Sequence, residues 1–231
     1  MKIVNIETGR MGIVAPIDEF LPLTGAYPPD IWKAIAERYS FVSRPDMSLA
    51  LSEIRENGFE FQFGKFQALD STEQSILKLV VFGFGIAANG YSTESAEMFL
   101  DDLCRWADDA LGFRFSSSRV SVFFLSQIVV EFQGSLESAT LAFNDASNRI
   151  HEAFKDSYGI QAPMHVSAVT IDYDRVVVPD EIKQLATFTI QRQVGQPYAA
   201  NRFFCQAPLR TRDHVRLLEE IECVLARDYR K

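Results

Sequence analysis

Cysteine and histidine are both scarce, at three each in 231 residues. Cys104, Cys205 and Cys223 form neither a closed disulfide set nor a close metal spacing, which fits a reducing compartment. His151, His165 and His214 are equally scattered, with no HExxH or CxxC context, so no metal site and no cofactor are expected. Long apolar runs are missing too. No stretch approaches the roughly 18 residues of a membrane span, and the opening "MKIVNIETGRMGIVAPIDEF" lacks a continuous apolar core with a small-residue cleavage site. A soluble, unexported, cytoplasmic protein is the expectation. The last absence is a basic surplus. Net charge is −8, and residues 1–115 hold 10 basic against 17 acidic groups while residues 116–231 hold 13 against 14. Only residues 192–216 are locally basic, with five Arg against one Asp. Binding nucleic acid through its phosphates ordinarily requires a broad basic face, so the electrostatics speak against DNA or RNA as the main partner.

What is present is apolar and aromatic. Apolar residues make up 47% of the chain and charged residues 23%, which suffices for one substantial core or two small ones. Phe occurs 19 times, so aromatic packing should dominate that core.

The periodicity alternates between strands and helices. A short apolar strand at about Gly12–Ile17 leads to a helix opening at "PPD", with Ile31, Trp32, Ile35 and Tyr39 as its stripe. "FEFQFGKF" alternates Phe59, Phe61 and Phe63 against Glu60 and Gln62, the period of a half-buried strand. "LKLVVFGFGIAANGYS" gives two strands joined by a turn at Gly83, Phe84 and Gly85. The next helix starts at "ST", places Ala96, Phe99, Leu100, Leu103, Ala107, Ala110 and Leu111 on one face, and stops at Gly112. The second half opens on a long strand, "RVSVFFLSQIVVEF", whose length predicts a bulge or bend part-way. A helix over about Leu136–Tyr158 follows, then strands at "HVSAVTIDYD", "ATFTIQRQ" and "NRFFCQA", and a last helix from Thr211.

The order strand, helix, three strands, helix thus occurs twice. An offset of 118 positions relates the two closing helices: Thr93 matches Thr211, Leu100 matches Leu218, Asp101 and Asp102 match Glu219 and Glu220, and Leu103 matches Ile221. The expected fold is α+β, with two pseudo-symmetric repeats, 1–115 and 116–231, forming one compact domain. Its curved antiparallel sheet would carry helices on one face. In element order alone this resembles the saddle of TATA-binding-protein-like domains, and such a likeness does not by itself license DNA binding.

Few motifs suggest chemistry. "GFGIAA" at 83–88 satisfies GxGxxA, but Asn89 and Gly90 interrupt the helix a dinucleotide site needs, so a hairpin turn is expected. The acidic row Glu94, Glu97, Asp101, Asp102, Asp108 and Asp109 diverges around one helix and reads as a solvated face. Cys205 and His214 lie nine apart across a strand-to-helix corner, yet no orienting group or oxyanion site accompanies them. No catalytic residue is assigned. The candidate site is the basic corner before the last helix: Arg192, Arg202, Arg210, Thr211, Arg212 and His214. A helix start flanked by guanidinium groups suits a phosphate, a carboxylate or an acidic protein surface.

The expected function is a non-enzymatic interaction module that binds a protein partner or associates with itself. The alternatives are a pocket for an anionic, phosphate-bearing small molecule at that corner and nucleic-acid binding through a saddle-like sheet.

Overall fold

The computed structural model describes residues 1–14, 28–45, 58–68, 71–83, 85–112, 121–134, 136, 140, 143–161, 164–177 and 185–228. In chain order these form β1 (Lys2–Val14), α1 (Pro28–Arg38), β2 (Phe59–Gln67), β3 (Glu73–Phe82), β4 (Gly85–Gly90), α2 (Thr93–Leu111), β5 (Ser121–Glu131), α3 (Asn144–Tyr158), β6 (Ala168–Ile171), β7 (Phe188–Arg192), β8 (Arg202–Ala207) and α4 (Thr211–Asp228). The fold is α+β. All eight strands join one antiparallel sheet in the order β2-β3-β4-β1-β5-β8-β7-β6.

The sequence expects a short first strand, whereas β1 runs for 13 residues and pairs along its length with β5. Two register shifts, between Ile3 and Asn5 and between Ile6 and Thr8, break its alternation, which is why a period of two is hard to see there. The bulge expected within the β5 sequence therefore lies on its partner. The residues expected to continue the first strand, 15–17, lie outside the described residues, as do Phe84 of the turn and the boundary near residue 115. Of the helix expected over Leu136–Tyr158, Asn144–Tyr158 is continuous and Leu136 is helical, while residues 137–139 and 141–142 lie outside the described residues.

Alternation sorts the sheet into two faces. On one, Phe61, Leu79, Ala88, Met11 and Phe124 are successive cross-strand partners, and so are Ile128, Cys205, Ile190 and Val169. Helices pack on this face in two clusters. The larger joins α1 (Ile31, Trp32, Ile35), Tyr39 just after it, and α2 (Ala96, Phe99, Leu100, Leu103, Ala107) to β1 through β4. Its rings interlock, with Tyr39 and Phe99 centroids 4.9 Å apart and Trp32 and Phe59 5.1 Å apart. The smaller joins α4 (Leu218, Leu225) to β5, β7 and β8.

Helix α2 forms as its sequence dictates. Ser92 caps it in a reciprocal capping box with Ser95, and Gly112 ends it in the left-handed conformation. Strand β2 departs from its pattern at one point. Phe63 takes the left-handed φ of +56°, drops out of an otherwise unshifted pairing with β3, and is exposed instead of joining Phe59 and Phe61 in the core. The outer edge of β2 is covered by residues 39–43: the Gln62 N–H donates to the Ser43 carbonyl at 3.0 Å, and the Lys65 N–H donates to that of Tyr39 at 2.7 Å.

Candidate functional site

The helix starts of α2 and α4 meet over the middle of the sheet. The Thr93 N–H donates to Thr211 Oγ1 at 2.9 Å, the Thr211 N–H donates to Thr93 Oγ1 at 2.7 Å, and the two hydroxyl oxygens are 3.2 Å apart. Both threonines are buried. Every helix leaves its first backbone N–H groups without intrahelical acceptors, and here each helix supplies a hydroxyl for the other. The sequence suggests Thr211 as a cap of its own helix. Instead it is the first helical residue, the helical hydrogen bonding starts from the carbonyl of Arg210, which accepts from the His214 N–H at 2.9 Å, and the Thr211 side chain turns outward to α2.

Acidic groups from α2 complete the junction. Arg210 forms a two-pronged pair with Glu97, one contact at 2.7 Å from Nη2 to Oε1 and the other from Nη1 to Oε2, while its guanidinium lies 4.3 Å from the Phe124 ring centre. The hydrogen bond to Glu97 raises the Arg210 pKa. The Arg212 N–H donates to Glu94 Oε1 at 3.3 Å, and Arg212 Nε lies 3.7 Å from Asp213. Helix dipole, free N–H groups and guanidinium would together hold an outside anion. In this structure the carboxylates of Glu94 and Glu97 take those contacts.

His214 lies one turn further along α4, fully buried. Its Nδ1 is 2.5 Å from Ser126 Oγ on β5, and Phe188 meets the ring edge-on at 6.0 Å. Its Nε2 is buried with no hydrogen-bond partner among the described residues. Burial lowers the imidazole pKa to about 4, so the ring is neutral at pH 7. Burial likewise pushes the Cys205 thiol up to about 12. A protonated thiol and an enclosed imidazole lack the thiolate character that nucleophilic catalysis requires.

The other two candidates are elsewhere. Arg202 at the start of β8 binds Glu131 at 3.0 and 2.5 Å, and Lys2 reaches the same carboxylate at 3.6 Å. Arg192 donates to the Tyr198 carbonyl at 2.8 Å and stacks 3.5 Å from that ring's centre and 4.8 Å from that of Phe203. The two arginines do not pair across their hairpin, because the register sets Arg192 opposite Phe203 and Arg202 opposite Glu131. The structure therefore gathers Arg210, Thr211, Arg212 and His214 near the junction and leaves Arg192 and Arg202 at the far end of β8.

Sequence reasoning overlooked Glu97 and Ser126 as partners in this region, since their contacts are 113 and 88 residues distant. It also overlooked a polar cavity of about 440 Å³ beside α1, lined by Arg38, Tyr39, Lys65, Glu73 and Asp102. Its polar groups are mutually engaged: Tyr39 donates to Asp102 at 2.8 Å, Arg38 to Asp102 at 3.1 Å, and Lys65 to Glu73 at 2.7 Å. Among the described residues no helix is long and apolar enough to cross a membrane. Comparison with known proteins gives no matching family model and no curated relative.

The junction has a measurable consequence. Thr211→Val preserves shape but leaves the buried Thr93 N–H without an acceptor, a loss of roughly 2 kcal/mol. Thr211→Ser retains the hydroxyl and should recover most of that stability. Equal urea midpoints for the valine variant and the parent would show that the exchanged hydroxyls contribute nothing.

Proposed function

We propose that this protein is a non-enzymatic interaction module, acting through a protein partner or a second copy of itself. The observation that carries this reading is the contrast between α1 and α3. The apolar stripe of α1 is buried, with Ile31, Trp32, Ile35 and Tyr39 no more than 4% exposed. Helix α3 is also amphipathic, yet none of its described residues is buried; Ile150 is 56% and Tyr158 68% exposed. Phe154 stacks against Tyr158 at 4.8 Å, and Phe143, just before the helix, is exposed as well. Clustered apolar side chains along one surface helix mark a contact site more often than an isolated exposed residue does.

The same reading takes 1–115 and 116–231 as related halves around a pseudo-twofold axis between β1 and β5, in a saddle of TATA-binding-protein-like type. Several features support it. Strand, helix, three strands, helix occurs twice, and β4-β3-β2 outward from β1 has its counterpart in β8-β7-β6 outward from β5. Thr93 and Thr211, 118 positions apart, bond each other reciprocally. On this view α1 and α3 are equivalent elements, and the half that leaves its helix uncovered is the one specialised for contact. The arginine corner supports a small-anion function less well, since Glu94 and Glu97 already occupy it.

Native mass spectrometry of gently purified protein tests the proposal. A discrete oligomer or complex is expected, and Ile150→Asp combined with Phe154→Asp should release a monomer with an unchanged melting temperature, because neither residue supports the core. A parent protein that is monomeric and retains no protein partner would remove this function.

A further inference from the structure

The face of the sheet opposite the packed helices carries an arginine that no carboxylate among the described residues neutralises. Register places Lys78 on β3 directly across from Asn89 on β4, and Asn89 directly across from Arg10 on β1. Directly opposed side chains begin about 5 Å apart, so the three residues form one continuous cross-strand row. Leu125 on β5 extends the row, and the neighbouring Phe123 ring centre lies 5.8 Å from the Arg10 guanidinium carbon.

Arg10 differs from three of the arginines described above, and from Arg192, whose Nε is likewise buried without an acceptor but whose Nη1 donates to the Tyr198 carbonyl. Arg38, Arg202 and Arg210 each hold a carboxylate. Among the described residues Arg10 has no ion pair, and its Nε is buried without an acceptor. Asn89 Oδ1, across from it, is buried without a donor. Burial lowers the Arg10 pKa, as expected of a cation desolvated without compensating charge. Lys78 is already engaged, 2.5 Å from Glu60. A buried guanidinium Nε and a buried amide oxygen are each costly to leave unpaired, while both residues remain partly exposed to a ligand. The guanidinium fork fits two oxygens of a carboxylate or phosphate. The amide oxygen requires an O–H or N–H.

We propose that Arg10 and Asn89 form the recognition point of a binding site on this face, for a ligand carrying an oxyanion together with an adjacent O–H or N–H donor. Phe123 and Leu125 provide an apolar floor beside that point for the body of the ligand. This site is separate from the arginine corner and from α3, and it does not depend on the interaction-module reading.

Thermal melts of the full chain in inorganic phosphate and in lactate, each against chloride at matched ionic strength, test the assignment. Phosphate offers an oxyanion with a P–O–H donor, and lactate offers a carboxylate with a hydroxyl. At least one should raise the midpoint saturably, by about 3 °C or more at a hundredfold excess over its Kd, and the larger response identifies the anion. Arg10→Met should melt at or above the parent without ligand, because an uncompensated charge has gone, and should lose the response. Asn89→Asp should place a carboxylate opposite Arg10, raise the ligand-free midpoint and also abolish the response. The proposal is overturned by no response in the parent to either anion, or by an unchanged response in either variant.

Discussion

Replacing Gly9 with alanine is expected to lower the thermal midpoint by roughly 10 °C or to prevent folding. Gly9 sits on the helix-facing side of β1, opposite Gly90 on β4 and Ser126 on β5. A Cβ there would lie 2.0 Å from the backbone carbon of Ser92 and 2.0 Å from the backbone nitrogen of Thr93. These atoms belong to the capped start of α2, where the exchanged hydroxyls of Thr93 and Thr211 also fix α4. A side-chain neighbour could rotate away, but this backbone cannot move without breaking both helix starts. Overpacking in a yielding core costs about 1 to 3 kcal/mol, and an obstruction by rigid backbone belongs at or above the upper end of that range. For a chain of this size, such a loss corresponds to the stated fall in midpoint. Gly112→Ala supplies a control: its Cβ would have nothing within 4 Å, leaving only the left-handed backbone at φ +70°, worth about 1 to 2 kcal/mol. Comparable midpoints for the two variants would mean that α2 does not rest directly on β1.

The second large effect is a loss of stability in mild acid. His214 titrates near 4 in the folded protein and near 6.5 once unfolded. Between those values the unfolded chain binds the extra proton and the folded chain does not, so stability is fully present above about pH 6.5 and falls as the pH drops toward 4. From pH 7.5 to pH 4.5 the loss from this residue alone is about 2.5 kcal/mol. Its contacts clarify the cause. Ser126 is neutral and Phe188 is apolar, so neither supplies a charge to offset the desolvation of an imidazolium. Glu60 and Glu131, whose carboxyl pKa values are lowered by Lys78 and Arg202 respectively, add their own acid sensitivity mainly below that window. Guanidinium chloride midpoints at the two pH values measure the drop, and His214→Gln should flatten it. Parallel pH profiles for parent and variant would assign the acid sensitivity to other groups.

Local signals in the sequence were sufficient for much of the architecture. Helix α2 declares itself through Ser92, its 3.6-residue stripe and Gly112, because a cap, a face and a stop all act within one segment. The hairpin between β3 and β4 is legible for the same reason, as Gly83 and Gly85 flank its turn. Features requiring cross-strand register were not. Phe63 fits the apolar alternation of β2 but leaves the core where its backbone turns left-handed, which a simple period of two does not contain. The candidate corner was visible as a run of arginines, whereas its neutralisation by Glu94 and Glu97 depends on α2 arriving beside α4. Arg10 and Asn89 are 79 positions apart in the chain and become neighbours only through the pairing of β1 with β4. The sequence shows that α3 is amphipathic, but amphipathicity cannot distinguish a helix face that packs internally from one that remains exposed.

The unequal treatment of the sheet's two borders limits how the molecule could polymerise. Residues 39–43 already occupy outward hydrogen-bonding groups of Gln62, Phe63 and Lys65 in the middle of β2. At the other border, β6 pairs with β7 and has no further strand beyond it among the described residues. Endless stacking of sheets requires two receptive borders on every unit, one to give and one to take. In the vocabulary of polymer chemistry, the β6 border is a chain terminator: joining β6 to β6 uses up that end of both molecules, so strand addition there stops at a pair.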